Sequence, residues 1–418
     1  MGSPDGTRRA EPDLGDGVDW SAVWAASGAA SLSGRPDGPA LDVPVGLVRL
    51  ATRLADRIAD ASSACGHRVD LDGPALLGER AALTGLARHG DVSCGGATRL
   101  LRAADGWFAL SLARPDDVDA VPAWLEAPMP DGDADELWPA IDAVTGRRPI
   151  GELVERAALL GLPIGRLGEV DASADRAPAV CRRLDGDPVA KPLTDLVVVD
   201  LSSLWAGPLC ANVLGLAGAR VITVESASRP DGARAGSPTF FDLLHGGHES
   251  VCLDFGDATD VAGLRRLLES ADIVIESSRP RALQQLGLDR DRVCGPRVWV
   301  SITAHGRNGP GSDRIGFGDD AAVAGGLVTH DADQPYFSVD AVADPLTGLA
   351  AAAEVLDRCV DGGRWHIDVA LSRTAALATS ADLTNVGGHA LAPPRARTEV
   401  RPTPVLGTHT DAVMAEFG

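Results

Sequence analysis

The chain has 418 residues, 45% of them apolar, and a formal net charge of -21, with a pI near 4.7 and a mean hydropathy of +0.03. So acidic a chain repels nucleic acid and anionic lipid, which argues against both as partners. No apolar run approaches the roughly 20 residues of a membrane span.

Met1 to Asp19 is rich in Gly, Asp and Pro and lacks an apolar h-region, so it reads as a disordered leader and not a signal peptide. That reading points to a soluble, cytoplasmic protein. Residues 42–61 space Leu47, Leu50, Leu54 and Ile58 at helical intervals. Residues 99–113 read as two strands around an Asp-Gly turn at Asp105–Gly106. A linker over 127–135 precedes helical stretches at Glu136–Val144 and Ile150–Leu160, and the polar segment 172–193 marks a boundary.

The pattern changes at Leu196. LVVVD (196–200), VITVE (221–225), SVCLD (250–254), IVIES (273–277) and VWVSI (298–302) are short β-branched runs of the kind found in buried parallel strands. Helical segments separate them at 206–218, 259–271 and 281–287. This alternation predicts a doubly wound α/β layer. Later helices are predicted at 319–327, 345–359 and 368–381, and PVLGTHTDAVMAEFG leads into a last short helix. Residues 69–83 also echo 367–380; aligning Asp70 with Asp368 sets Gly46 opposite Asp344. Two ordinary amphipathic helix pairs in an Ala/Leu-rich chain would give the same echo.

Seven dispersed cysteines with no CxxC pair argue against disulfides and structural zinc, so they are read as reduced small hydrophobes and no metal site is expected. His245 and His248 lack a nearby ligand partner. Lys191 is the only lysine, so a phosphate site has to use Arg, backbone N–H groups or a helix N-terminus such as that near Ala206–Pro208. The turn SSLWAGPLC between the first two strands of this half lacks the glycines of a dinucleotide site, which disfavours NAD despite Glu225. Asp344 precedes Pro345, a pattern that reads first as a helix N-cap followed by Pro at N1, and that is compatible with a rigidly held, ionised carboxylate. Gly95–Gly96 suits a positive-φ turn, and also a backbone able to approach an oxyanion. In the Gly-rich loop 301–320, His305 reads as a hydrogen-bonding residue more than a base, and Asp319 and Asp320 as helix caps.

Residues 192–385 resemble the large domain of the class III CoA-transferases, the carnitine and bile-acid CoA-transferase family. The resemblance rests on PLTDLVVVDLSSLWAGPLCANVLGLAGARVITVE, SVCLDF, ADIVIESSRPRALQQLGL, VWVSITAHGRNGP, VADPLTGLAAA and HIDVALS, in the family's order, with a similar tail in RPTPVLGTHTDAVMAEFG. It implies a Rossmann-like α/β large domain with a smaller α+β domain. It further implies that Asp344 is a nucleophile acting through a mixed anhydride and an aspartyl-CoA thioester. Gly95 and Gly96 would then form the shielding glycine loop. Ser203, Trp205, Ser277 and Arg279 would line the CoA cleft, and Ala206 at the helix N-terminus and His305 in the Gly-rich loop are further candidate contacts. The CoA thioester enters as substrate, with no permanently bound cofactor, and a small carboxylic acid is the second partner.

Two departures stand out. Residues 80–170 resemble the family's small domain but come before the large one, and 25–80 resemble a degenerate copy of the segment around Asp344. The expected units are a leader (1–19), a degenerate helical repeat (20–80), a small α+β domain (81–185), a large α/β domain (190–390) and a packing tail (391–418). Such a fusion fits either a monomer or a homodimer. Glu249 and Thr223 also stand where relatives carry basic residues, leaving Arg229, Arg234, Arg279 and Arg281 as candidate phosphate contacts. An α-methylacyl-CoA racemase is the alternative enzyme, disfavoured because Phe317 stands where a proton-transferring His is needed. A non-catalytic acyl-CoA-binding subunit is the alternative without chemistry.

Overall fold

The computed structural model describes residues 17–130, 132–170, 177–186, 191–309, 311–398 and 400–417. The expected leader up to residue 16, and parts of the boundary segment 172–193, lie outside them.

The chain opens with helices. Asp19 caps α1 (Trp20–Ser27) by accepting the N–H groups of Ser21 and Ala22. Helical spacing in α2 (Val45–Ala64) puts Leu47, Leu54 and Ile58 on one fully buried face. Two short helices follow, α3 (Gly73–Leu76) and α4 (Glu79–Thr84). The strands β1 (Thr98–Ala103) and β2 (Gly106–Ser111) form the predicted hairpin. After α5 (Pro115–Leu125), α6 (Ala134–Thr145) and α7 (Ile150–Leu160), β3 (Ile164–Arg166) joins β2 antiparallel. Phe108, Trp124, Ile141 and Leu153 fill the core between this sheet and its helices.

After β4 (Ala179–Leu184) the chain alternates strictly. β5 (Val197–Asp200), α8 (Ala206–Leu216), β6 (Arg220–Ser226), α9 (Pro238–His245), β7 (Glu249–Leu253), α10 (Ala258–Ser270), β8 (Ile273–Glu276), α11 (Pro280–Leu286) and β9 (Val298–Thr303) follow in turn. Then come α12 (Gly318–Ala324), the small ribbon of β10 (Val328–Asp331) and β11 (Gln334–Phe337), α13 (Ala343–Asp361), β12 (Arg364–Ala370), α14 (Leu371–Leu377) and α15 (Thr410–Phe417). Seven strands form one sheet in the order β4-β12-β9-β8-β5-β6-β7, parallel except for β4. This is a doubly wound α/β fold, with a smaller α+β portion around β1–β3. Winding reverses at β5, whose neighbours are β6 and β8, so the crevice beyond the carboxyl ends of β5 and β8 is the natural ligand position.

α13 runs through the centre of the molecule. Leu346, Leu349 and Leu356 are completely buried, each contributing about 1.5–3 kcal/mol. Gly348 lets α13 approach α8: a Cβ there would stand 2.7 Å from the carbonyl oxygen of Ala206. α13 also packs along α2.

Two expectations from the sequence need correction. The boundary segment contains β4, an edge strand whose exposed Arg182 and Arg183 hide the usual alternation. The helix expected over 368–381 is shorter, because β12 continues through Ala370 beside β9 before α14 starts at Leu371. All seven cysteines are free thiols; Cys94 and Cys210 are buried and Cys294 is exposed. Among the described residues no helix is long and apolar enough to cross a membrane.

Candidate active site

Asp344 is the second residue of α13, one position inside the helix, and not its N-cap. Its N–H donates to the carbonyl of Ala341 at 2.9 Å. The preceding turn is strained: Val339 has φ of +63° and Ala341 +43°, in the left-handed region that a β-branched residue rarely enters. Between them, Asp340 is fully buried and accepts a forked pair of hydrogen bonds from Arg80 of α4, the Nε bond being 2.7 Å long. The strain and the ion pair together fix the entry to α13.

α12 supplies two more carboxylates. Asp319 Oδ1 accepts the N–H of Ala341 at 3.0 Å. Asp320 Oδ1 accepts the N–H of Phe317 at 2.9 Å and the Ser111 hydroxyl at 2.8 Å. Asp320 Oδ2 is buried with no partner among the described residues. The capping role expected for Asp320 is therefore real, but both side chains also face the start of α13.

Three carboxylates around one guanidinium, with Asp320 beside them as a fourth, cannot all ionise freely. Burial pushes Asp344 up to about 7; Arg80 pulls it down, and Asp319, Asp320 and Asp340 push it up further. Burial likewise raises Asp320 to about 7, and burial with the Asp340 charge raises Asp319 to about 6. Asp344 itself remains partly exposed. The result is a reachable carboxylate that titrates near neutrality and is more basic, once ionised, than an ordinary aspartate.

The glycine turn lies beside this cluster. Gly95 and Gly96 are exposed, and Gly96 (φ +83°) donates its N–H to the Ser93 carbonyl at 2.8 Å. A Cβ on Gly95 would stand 3.4 Å from Arg80 Nη2. The Arg80 guanidinium also lies 5.2 Å from the centre of the Trp205 ring. Arg80 thus ties the glycine turn and the start of α8 to the turn that carries Asp344.

At the crevice, the N–H of Ser203 donates to the Ser277 hydroxyl at 3.3 Å, joining the loops after β5 and β8. Leu204 has φ of +71° and is held by the Asp231 carboxylate, which accepts its N–H at 3.1 Å. Ala206 opens α8. Arg229 and Arg279 are exposed and make no ion pair among the described residues. Arg234 is instead bound to Glu225 at 2.9 Å and stacked on Phe241, and Arg281 is paired with Asp313 at 2.8 Å. Trp205 is buried edge-on against Phe240. His305 is half-buried, with Nε2 enclosed and unpartnered among the described residues, and desolvation pushes its pKa down to about 3, so it is neutral. Among the described residues no cluster of side chains is arranged to hold a metal ion.

Sequence reasoning missed Arg80, Asp340 and Asp231. The adjacent Asp319–Asp320 pair was visible, but its convergence on Asp344 required the β9–α12 loop to fold back onto α13.

A family model described as CoA-transferase family III matches residues 193–410. A succinate–glutarate CoA-transferase of Agrobacterium fabrum is 32% identical over 43% of this chain and 51% of its own length. A succinyl-CoA:glutarate CoA-transferase of Mus musculus is 30% identical over 40% of this chain and 41% of its own. A crystal structure of a CAIB/BAIF family protein from Brucella suis is 30% identical, covering 45% of this chain and 55% of that one, with a TM-score of 0.41. The chain spans about half the length of the curated relatives it matches.

Proposed function

Because the chain belongs to CoA-transferase family III, we propose that it moves coenzyme A from an acyl-CoA to a carboxylic acid, with Asp344 as nucleophile. Asp344 attacks the thioester carbonyl, the C–S bond breaks, and a mixed anhydride and CoA thiolate result. The thiolate attacks the aspartyl carbonyl, releasing the first acid and leaving an aspartyl-CoA thioester. The acceptor carboxylate attacks that thioester, and the freed thiolate then takes the acceptor acyl group, returning Asp344 as a carboxylate. No net proton is consumed, and each step is a nucleophilic substitution at an activated carbonyl.

The observation that carries this reading is the partly exposed Asp344 carboxylate, titrating near neutrality beside Arg80 and the Gly95–Gly96 turn. The Gly95 N–H, unlike that of Gly96, has no acceptor among the described residues and is suited to stabilise the tetrahedral oxyanions. In this proposal Ser203, Ala206, Ser277, Arg229 and Arg279 face the CoA moiety. Trp205, Arg234, Arg281 and His305 shape the loops that hold it. The names of the relatives make short dicarboxylic acids the first acceptors to try. The small and large portions of one chain both contribute to this single site.

The test is hydroxylamine trapping during turnover with a panel of acyl-CoAs, read by peptide mass spectrometry. A hydroxamate at residue 344, absent from Asp344→Asn, supports the mechanism. Transfer that persists in Asp344→Asn overturns it. Exchange of the α-proton with solvent, without transfer, would assign the racemase chemistry instead.

A further inference from the structure

Only part of the Arg80 guanidinium is used by the protein itself. A guanidinium is a flat plate with donors along two edges: one edge joins Nε to Nη2, the other joins Nη2 to Nη1. Asp340 takes the first edge, accepting from Nε at 2.7 Å and also from Nη2. The Trp205 ring covers one face, with its centre 5.2 Å from the guanidinium carbon. One edge and one face together fix the orientation of the plate.

The second edge is open. Nη1 has no hydrogen-bond partner among the described residues, and it is not one of the polar atoms closed off from solvent. The Arg80 side chain is 28% exposed, although its partner Asp340 is wholly buried. Nη2, which belongs to both edges, lies 3.4 Å from a Cβ built on the exposed Gly95. The free donors and the glycine turn therefore border the same solvent-reached space.

Asp344 adjoins that space. Asp340 sits in the strained turn whose Ala341 carbonyl accepts the Asp344 N–H at 2.9 Å, and the Asp344 side chain is itself partly exposed. Of the charges that act on Asp344, that of Arg80 is the largest. While Asp344 is ionised, Arg80 faces three carboxylates, Asp340, Asp319 and Asp344, so a further anion is repelled. Acylation turns the Asp344 carboxylate into an uncharged anhydride or thioester. One negative charge then leaves the surroundings of Arg80, and its open edge can take a carboxylate through two parallel hydrogen bonds.

We propose that the Nη1–Nη2 edge of Arg80 binds the reacting carboxylate of the acceptor acid, and that it fills only once Asp344 has lost its charge. The order of filling rests on Asp344 being the nucleophile; the edge itself does not. Each oxygen of the bound acceptor keeps a lone pair. One of them attacks the aspartyl-CoA thioester: the C–O bond forms, the C–S bond breaks, and the electron pair leaves with the CoA thiolate. The same electrostatics keep free acid away from the site until the acyl-CoA has reacted.

Calorimetric titration of the full chain with succinate and with butyrate at pH 8, without acyl-CoA, tests the edge in the absence of turnover. Asp344→Asn imitates the uncharged, acylated state and should bind both acids roughly tenfold more tightly than the unaltered chain. Arg80→Lys in that background keeps a cation for Asp340 but has no second edge, so the gain should be lost for both acids. If circular dichroism shows that Arg80→Lys does not fold, Arg80→Gln combined with Asp340→Asn takes its place, since it preserves net charge and leaves no buried carboxylate unpaired. The proposal is overturned if Asp344→Asn binds no more tightly than the unaltered chain, or if the gain survives replacement of Arg80. A loss confined to succinate also overturns it, because Arg80 would then hold the far carboxylate and not the reacting one. Hydroxamate trapping reports on the nucleophile separately: a gain that depends on Arg80, with no trapping at residue 344, keeps the edge as a carboxylate site and removes only the transferase reading.

Discussion

The Asp344 carboxylate rests directly against Gly318: a Cβ built on that glycine would stand 2.5 Å from Asp344 Oδ2 and 2.4 Å from the Ala341 carbonyl oxygen. Gly318→Ala therefore has to push the carboxylate, the strained turn, or both. Overpacking of this kind costs about 1–3 kcal/mol. A displacement near 1 Å is enough to lower a nucleophilic step about a hundredfold. Hydroxamate formation at Asp344 should fall by that order while the chain stays folded by circular dichroism. Unchanged trapping in Gly318→Ala would mean that the carboxylate is not held by this contact.

The raised pKa of Asp344 sets the pH dependence. The nucleophile is the anion, so transfer should rise with pH through about 7, the acidic limb of kcat/KM. Asp320 is one of the charges that raise Asp344. Asp320→Asn keeps an oxygen for Ser111 and for the Phe317 N–H, so it removes charge with little change in shape. The limb should move to lower pH in that variant. A limb fixed near 4 in the unaltered chain would show that Asp344 is not the titrating group.

The same shifts predict how stability varies with pH. Asp319, Asp320 and Asp344 have folded pKa values of about 6 to 7, against about 4 in an unfolded chain. Between those values the folded state binds more protons, so the stability contributed by these groups is full below about 4 and is lost as pH rises through 6 to 7. Asp320→Asn should thus gain on the order of 1 kcal/mol over the unaltered chain at pH 8 and gain nothing at pH 4. Urea midpoints at the two pH values measure the difference. A gain at pH 4 that vanished at pH 8 would reverse the sign and refute the burial argument.

The arginines divide by what already holds them. Arg229 and Arg279 are exposed and without ion pairs among the described residues, so replacing either with Ala should weaken CoA binding by roughly tenfold at low salt and leave the melting temperature alone. Arg234 is bound to the buried Glu225. Arg234→Ala strands that carboxylate, at a cost of about 3–5 kcal/mol, so it should lower the melting temperature. Equal melting temperatures for all three variants would erase the distinction.

The α/β half was legible because its strands are buried on both faces and read as unbroken β-branched runs, as in Val197–Asp200 and Ile273–Glu276. β4 was not, since an edge strand with exposed arginines carries no such run. Asp344 was singled out, but as a residue flanking its helix. The left-handed turn at Val339 and Ala341 starts α13 at Ala343, two residues before Pro345, and nothing in VDAVADP announces positive φ at non-glycine positions. Arg80 was invisible because its partner Asp340 lies far along the chain, and their pairing depends on how α4 packs against the turn before α13.

The echo between the two ends of the chain has a structural counterpart. The same sequence offset separates the starts of α2 (Val45) and α13 (Ala343), and of α3 (Gly73) and α14 (Leu371). It also sets Asp42 opposite Asp340 and Gly46 opposite Asp344. We infer a duplicated helix pair in which the first copy has no room for a nucleophile. The Gly46 N–H donates to the Ser380 hydroxyl at 3.0 Å, and a Cβ at Gly46 would stand 2.6 Å from the Ala378 carbonyl oxygen and 2.9 Å from that of Thr379. Both obstacles are backbone, so they cannot swing aside. Gly46→Ala should therefore cost about 1–3 kcal/mol in a urea titration. In an Asp344→Asn background, Gly46→Asp should trap no hydroxamate at position 46. Trapping there would mean that the first copy still opens to the acyl-CoA, and that the chain holds two latent sites where the packing around Gly46 permits one.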